Sequence, residues 1–188
     1  MIQPAKPVLS ALARLENAGY PAYIVGGAVR DALRGISPHD YDLCTAARPQ
    51  ETIAVFAGER VVETGLRHGT VTVLLDGMPL EITTFRVESG YSDKRHPDHV
   101  RFVRTVEEDL SRRDFTINAI AYSPYRGLAD PFGGQTDIIN HTLRAVRNPY
   151  TRFSEDSLRI LRGLRLAAQT GFAIESVTEA ALYALAPT

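Results

Sequence analysis

The sequence has little cysteine, methionine or tryptophan, and it lacks any long hydrophobic run. One cysteine, Cys44, two methionines and no tryptophan occur among its 188 residues. A single cysteine cannot form an internal disulfide, which is typical of a reducing compartment. No apolar run approaches the roughly 20 residues of a membrane span, and the N-terminus has no signal-peptide pattern. These absences argue against a secreted disulfide scaffold or a membrane protein and predict a cytoplasmic location.

The net charge is also small, −1 at neutral pH, so the chain as a whole has no strong electrostatic attraction for nucleic acid. The distribution is less even. Residues 141–169 contain six arginines against two acidic residues. A phosphate-bearing partner can bind at such a segment without the whole protein being basic.

Hydrophobic periodicity predicts an α+β chain, with a small mixed or antiparallel sheet and flanking helices. Apolar spacing indicates a helix over 7–17, and AVRDALRG and the segment opening at Pro49 also look helical. The predicted strands are PAYIV, HDYDLCT, AIAYS and a hairpin that turns at Asp76-Gly77. Residues 88–105 are expected to be a flexible loop with a short strand at VRFV, and GLADPFGG to be a turn.

The last third of the chain has helical character. Ser154 followed by Glu155 and Asp156 predicts a helix start, with a helix running through Ala168 and ending near Gly171. SVTEAALYALA predicts a second helix. We therefore expect two domains, a catalytic unit over 1–140 and a helical unit over 141–188.

A paired glycine forms the first candidate site. Gly26 and Gly27 follow a predicted strand and open a helix, where backbone N–H groups can approach a phosphate closely. Arg30, on the first helical turn, can place its guanidinium on the same phosphate. Alternatively, this is an ordinary turn followed by a solvated arginine.

Two carboxylates follow. On one strand, Asp40 and Asp42 would point to the same face with Cα atoms about 6.6 Å apart. Their repulsion is relieved by divalent cations, and hard oxygen ligands favour Mg²⁺, of which two ions can promote phosphoryl transfer. Glu81 is the candidate third carboxylate, because it interrupts an uncharged β run. The alternative is a solvated sheet edge.

Two charged clusters complete the candidate set. In SRRDFTINA, adjacent arginines can contact separate phosphate or ribose oxygens, and an amide can both donate and accept. The residues concerned are Arg112, Arg113, Asp114 and Asn118. If one helix begins at Ser154, four charged residues fall within about 120° on it and three apolar residues lie roughly opposite. The charged residues are Glu155, Asp156, Arg159 and Arg162, and the apolar ones are Leu161, Leu164 and Ala168. Surface ion pairs are the alternative for both clusters.

The succession GGAVRD, DYD, HGTVTV, LEITTFR, EEDLSRRDFTINA, DPFGG and SEDSLRILRGLR resembles the head and neck of class II tRNA nucleotidyltransferases. This family adds CCA to tRNA 3′ ends and includes bacterial-type poly(A) polymerases. The resemblance covers residues 20 to about 175. It implies a polymerase β-like catalytic head over 1–140 and a truncated neck over 141–188, with the family's helical body and tail domains absent.

The resemblance also implies roles for the candidate residues. Asp40 and Asp42 match the family's metal-binding aspartates, and Glu81 falls where a third carboxylate is expected. Gly27 and Arg30 match positions associated with the incoming triphosphate. The motif that distinguishes ribose and helps to hold the nucleotide is matched by Arg112, Arg113, Asp114 and Asn118. Glu155, Asp156 and Arg159 match the motif that acts as a protein template, and Arg162 would support it.

The implied reaction is addition of CMP and AMP from CTP and ATP to the 3′ end of tRNA with two Mg²⁺ ions. Asp156 and Arg159 would pair with cytosine and adenine. An A-adding enzyme or a poly(A) polymerase is the alternative product specificity. An intact segment between the carboxylates and RRDF argues against a CC-only enzyme. From other classes, a non-catalytic RNA- or nucleotide-binding module of the same fold and a small-molecule nucleotidyltransferase remain open.

Overall fold

The computed structural model describes residues 2–38 and 40–186. Its helices are α1 (Lys6–Asn17), α2 (Gly27–Leu33), α3 (Pro49–Val55), α4 (Val106–Leu110), α5 (Gly134–Ile139), α6 (Pro149–Glu155), α7 (Leu158–Thr170) and α8 (Ser176–Leu185). Its strands are β1 (Ala22–Val25), β2 (Asp42–Thr45), β3 (Arg60–Val62), β4 (Thr70–Leu75), β5 (Met78–Thr84), β6 (Arg86–Ser89), β7 (His99–Phe102), β8 (Ala121–Ser123), β9 (Gly127–Ala129), β10 (Thr142–Leu143) and β11 (Ala173–Ile174).

The main sheet has the strand order β3-β4-β5-β2-β1-β8-β9. β2 and β5 pair in parallel, while the other neighbours in this sheet pair antiparallel. The predicted hairpin turns at Asp76 (φ 49°) and Gly77 (φ 79°), the left-handed conformations that a two-residue turn requires. This small mixed sheet with flanking helices confirms the predicted α+β class.

Alternation along the central strands fills a core on each face of the sheet. Ile24 and Leu43 belong to the larger cluster, together with Leu12 and Leu15 of α1. On the other face, buried residues of β1, β2 and α4 pack together: Val25, Cys44, Val106 and Leu110. Each fully buried aliphatic side chain contributes roughly 1.5–3 kcal/mol, so the central strands are held firmly from both sides.

The predicted single helix from Ser154 is wrong. Ser154 lies in the last turn of α6, which begins after Asn148, and the Asn148 side chain accepts a hydrogen bond from the Thr151 amide at 3.1 Å. The backbone leaves helical geometry at Asp156 (φ −138°), and α7 starts only at Leu158. The predicted end near Gly171 and the second helix are confirmed.

The charged and apolar sides of this segment do not correspond to an exposed and a buried face. Arg159 on α7 is only 5% exposed, whereas Leu161 and Leu164 are 59% and 51% exposed. The buried face is formed instead by Ile160, Gly163 and Leu166 together with Arg159. Glu155 and Asp156 belong to the preceding helix and its end, so a single helical face cannot align them with Arg159.

Two other segments are more ordered than predicted. The short strand predicted at VRFV is confirmed as β7, but the expected flexible loop over 88–105 also contains part of β6, which pairs with β7 from Arg86 with Phe102 to Ser89 with His99. The expected turn at GLADPFGG contains β9 and leads into α5, whose first amides donate to the Asp130 carboxylate. The strand predicted at HDYDLCT is shorter in the structure, where β2 begins at Asp42. The first residue of the predicted strand, His39, lies outside the described residues.

The predicted domain boundary near residue 141 stays a prediction. Side chains from both sides of it pack together, as Phe115 contacts the helix α7 at Gly163 and Arg34 stacks over Phe172. None of the described helices has the length and apolarity that crossing a membrane requires.

Candidate active site

The glycine pair lies between β1 and α2, as predicted. Gly26 has φ 76° and ψ −132°, a conformation that side-chain-bearing residues rarely adopt. A Cβ atom on Gly26 would lie 3.4 Å from Nη1 of Arg113, and one on Gly27 would lie 3.7 Å from Nη2 of Arg30. The backbone conformation thus requires glycine at Gly26, and two guanidinium groups lie close to the backbone at the start of α2.

Arg30 is bound by neighbouring protein groups. Its Nε and Nη2 donate to the two carboxylate oxygens of Asp31, both at 2.9 Å, and its Nη1 donates to Oδ1 of Asn118 at 2.8 Å. Arg30 thus links α2 to the turn at 116–118. Direct contact between Arg30 and a phosphate stays a prediction.

The three candidate carboxylates line one cavity of about 600 Å³, which we call the carboxylate cavity. Asp42 opens β2 and is the Cα partner of Glu81 on β5. Asp40 precedes the strand, so strand alternation does not explain why it faces the same space. Within the described ranges, none of these three side chains has a hydrogen-bond or ion-pair partner, and no group of three His, Cys, Asp or Glu is arranged to hold a metal by itself.

Electrostatics at Asp42 reflect this arrangement. Although Asp42 is exposed as a whole, burial of its carboxyl group raises the pKa. The Arg113 guanidinium opposes this effect, and repulsion from Asp40 adds to it. Burial is therefore the main reason for the raised pKa, and a cation bound beside Asp42 would oppose it by stabilising the ionised carboxylate.

A second cavity of about 330 Å³, which we call the arginine cavity, lies on the other side of Asp42. Its lining residues are Gly26, Gly27, Asp42, Arg86, Glu88, Arg95, Pro97, Arg112, Arg113, Asp114, Asn118, Asp156, Arg159 and Arg162. The structure therefore brings together most of the residues predicted to bind nucleotide, and Asp42 joins them to the carboxylate cavity. Six arginines face four carboxylates here, a balance that suits an anionic ligand.

At one end of the arginine cavity, Asp114 and Arg162 form an ion pair between Oδ2 and Nη2 at 2.8 Å. Asp114 is buried, and its Oδ1 also accepts from the Phe115 amide at 2.9 Å. Arg162 is largely exposed. This pair fixes the RRDF segment (residues 112–115) against α7.

Beside this pair, Asp156 and Arg159 lie with Oδ2 and Nε 3.9 Å apart. Arg159 donates from Nη1 to Oε2 of Glu155 at 3.0 Å and from Nη2 to the carbonyl of Arg112 at 3.3 Å. The other Glu155 oxygen accepts from Arg152 at 2.7 Å. Glu155 does not line the arginine cavity; it lies behind Arg159 and holds it in place.

The sequence reasoning missed four lining residues: Arg86, Glu88, Arg95 and Pro97. All come from the β6–β7 hairpin, and all but Arg86 fall in the segment 88–105 that was expected to be a flexible loop. Asp93 shapes the hairpin turn by accepting from the amides of Arg95 and His96 at 2.9 and 2.7 Å, and hydrogen bonds from His96 lower its pKa to about 2. The Lys94 carbonyl accepts from the Ser157 amide at 3.0 Å, so the turn reaches the start of α7. Asp93 followed three residues later by His96 in a polar segment was the available signal.

Comparison with known proteins agrees with this geometry. The family model described as the poly A polymerase head domain matches residues 22–144. The chain is 51% identical over 178 residues to the CCA-adding enzyme of Lactobacillus helveticus and 50% identical over 177 residues to that of Lacticaseibacillus paracasei. These alignments cover 95% and 94% of this chain but only 43% and 44% of the relatives. The chain thus spans less than half the length of the curated relatives it matches.

Two solved structures are also similar. The Bacillus stearothermophilus CCA-adding enzyme in complex with CTP superimposes with a TM-score of 0.86 at 41% identity, over 96% of this chain and 43% of that one. A CCA-adding enzyme in complex with ATP superimposes with a TM-score of 0.74 at 31% identity, over 93% of this chain and 40% of that one.

Proposed function

Since the chain belongs to the family of poly A polymerase head domains, we propose that it is the catalytic and nucleotide-recognising part of a CCA-adding enzyme. It would transfer CMP and AMP from CTP and ATP to the 3′ end of tRNA. The observation that carries this proposal is that Asp42 joins the carboxylate cavity, whose three acidic side chains have no partner among the described residues, to an arginine cavity containing Asp156 and Arg159. In the same proposal, residues 1–140 are the catalytic head and 141–188 the beginning of a helical neck.

The carboxylates suit Mg²⁺ as the cofactor. Mg²⁺ is usually held by one or two carboxylates together with waters and substrate phosphates, so a protein cage of three ligands is not required. Asp40 and Asp42 offer such oxygens without a competing partner among the described residues, and their repulsion is relieved by a cation. Glu81 faces the same cavity. Two bound Mg²⁺ ions would favour ionisation of the attacking 3′-hydroxyl and neutralise the leaving pyrophosphate.

The protein's part in transfer is positioning. A triphosphate in the arginine cavity would place its α-phosphorus near Asp42, with the glycine turn and Arg113 beside the phosphates. The RNA 3′-hydroxyl would approach through the carboxylate cavity. A new bond then forms between the 3′-oxygen and the α-phosphorus, and the bond between the α- and β-phosphates breaks. No side-chain nucleophile is needed.

Base selection would come from the pairing edge that Asp156 and Arg159 present. The Asp156 carboxylate accepts hydrogen bonds and the Arg159 guanidinium donates them. Cytosine and adenine each carry an amino donor next to a ring-nitrogen acceptor, which matches this order. Guanine and uracil carry a carbonyl where the amino group is required, and that carbonyl would face the carboxylate. The neighbouring Arg162 would support this edge through its ion pair with Asp114.

A transfer assay tests the proposal. We expect this chain to extend a labelled tRNA lacking CCA when CTP and ATP are supplied with Mg²⁺, and not to incorporate GMP or UMP. Addition of AMP alone would favour a poly(A) or A-adding specificity, in keeping with the name of the matching family. Transfer to small molecules in preference to RNA, or binding of CTP and ATP without any transfer, would contradict it.

A further inference from the structure

A buried carboxylate lies behind the arginine cavity without lining it. Asp109, on α4, has no solvent exposure. Its Oδ1 accepts from Nη2 and Nε of Arg112 at 3.0 and 3.1 Å and from the amide of Arg86 at 3.1 Å. Its Oδ2 faces Nη2 of Arg113 at 3.4 Å. One carboxylate oxygen is thus directed to each of the two adjacent arginines.

The two arginines differ in their remaining capacity to bind a ligand. Each nitrogen of the Arg112 guanidinium donates to a protein oxygen. Besides the contacts of Nη2 and Nε with Asp109, Nη1 donates to Oε1 of Glu88 at 3.1 Å and Nε donates to the carbonyl of Arg86 at 3.1 Å. Arg113 has only the long contact to Asp109, and its buried Nε has no hydrogen-bond partner within the described part of the chain. A buried, unsatisfied donor of this kind is costly unless a ligand completes it.

Arg113 lies where the phosphates of a nucleotide would pass. Its Nη1 is 3.4 Å from the position of a Cβ on Gly26, and it acts on the charge of Asp42. It therefore lies between the glycine turn at the start of α2 and the carboxylate at the start of β2.

We propose that Asp109 is a positioning residue that directs Arg113 toward the phosphate chain of the nucleotide. This inference rests on the proposed function and deepens it. Arg112, in contrast, fixes Asp109 and the β6–β7 hairpin to the cavity wall, and it carries the carbonyl that holds Arg159.

The test is equilibrium binding of CTP and ATP to the full chain and to Asp109→Asn. We expect the substitution to weaken both nucleotides by the same factor, at least about tenfold, because the phosphates are common to both. The matched control is Asp137→Asn, another buried carboxylate paired with an arginine, Arg144, but outside the arginine cavity. It should lose stability and keep nucleotide affinity within about twofold.

A double variant distinguishes the proposed positioning role of Asp109 from a general structural effect of its substitution. If Asp109 acts through Arg113, then Asp109→Asn should weaken CTP binding little further in an Arg113→Gln background. Additive losses, or unchanged affinity in Asp109→Asn while the wild-type chain binds CTP and ATP, would overturn this inference and leave the proposed function standing. A wild-type chain that binds neither nucleotide would instead contradict the proposed function.

If Asp109→Asn does not fold, a CTP titration of the wild-type chain tests the inference instead. In NMR spectra of the arginine side chains, the Nε–H signal of Arg113 should move when CTP is added, because its unpartnered donor gains an acceptor. An unmoved signal in a chain saturated with CTP would overturn the inference.

Discussion

The two cavities that meet at Asp42 differ in how their charges are balanced. In the carboxylate cavity, Asp40, Asp42 and Glu81 have no partner among the described residues. In the arginine cavity, Arg112, Arg159 and Arg162 are each paired with an acidic side chain. Paired charges hold a geometry before a ligand arrives, whereas unpaired ones require a charged ligand to complete them. This difference is in keeping with the proposal that cations bind in the first cavity and that the second recognises the nucleotide.

The largest effect is expected from the carboxylate cavity. Asp42→Ala should reduce nucleotide transfer by about a thousandfold or more, because cation binding is lost, while CTP still binds measurably through the arginine cavity. The checks are single-turnover transfer to tRNA and equilibrium binding of CTP. Near-normal transfer in this variant would remove the metal assignment. Asp76→Asn, which removes another carboxylate lining the same cavity and keeps a residue that tolerates the left-handed turn conformation, is the control.

Helix α7 packs closely against the RRDF segment at Gly163, so a larger side chain at this position should overpack the contact. A Cβ on Gly163 would lie 2.7 Å from Cζ of Phe115, so Gly163→Ala should destabilise the chain by about 1–3 kcal/mol. In an unconstrained helix the same change would stabilise by up to about 1 kcal/mol. Chemical denaturation measures the difference. Adding Phe115→Leu should recover part of the loss, and a stabilised Gly163→Ala would contradict the packing described here.

Glu155 tests whether pairing behind the cavity matters for base recognition. Glu155→Gln weakens the contact that holds Nη1 of Arg159, so discrimination of CTP over UTP should fall by about tenfold. The affinity for UTP should change little. Competition binding of the four nucleotides measures both quantities. Glu179→Gln, a substitution on α8 outside both cavities, should leave the ratio intact.

The smallest effect concerns acid stability. Burial alone would raise the pKa of Asp109, but Arg112 and Arg113 outweigh it and hold the pKa below its usual value. A carboxylate with a lowered folded pKa stabilises the protein above its unfolded pKa of about 3.9, and this stabilisation is lost as the pH falls through the folded value. Asp109→Asn should therefore flatten the decline in unfolding free energy below about pH 4. An unchanged acid profile would argue that Asp109 is not ionised in the folded chain.

The sequence predicted the features that a few neighbouring residues determine better than those that depend on contacts between distant residues. The Asp76-Gly77 hairpin and the glycine turn are set by local conformational preference, so they were predictable from a few residues. The break between α6 and α7 was missed, although Asn148 followed by Pro149 is a typical helix start. The apolar periodicity of this segment does not mark the buried face of α7 either, since that face includes Arg159.

The burial of Arg159 shows why periodicity failed there. An arginine is buried only where its donors are satisfied, and Arg159 obtains its acceptors from Glu155 on α6 and from the carbonyl of Arg112, 47 residues away. The different states of Arg112 and Arg113 likewise depend on Glu88, which lies 24 residues from Arg112. The sequence motifs group such residues in one site, but only the tertiary contacts show which of them retain free donors.

The most direct test of the account is equilibrium binding of CTP, ATP, GTP and UTP to this chain in the presence of Mg²⁺, because it requires no tRNA. We predict that CTP and ATP bind at least about tenfold more tightly than GTP and UTP, and that Asp156→Ala removes this preference. Equal affinity for all four nucleotides in the wild-type chain would contradict recognition of the base by Asp156 and Arg159.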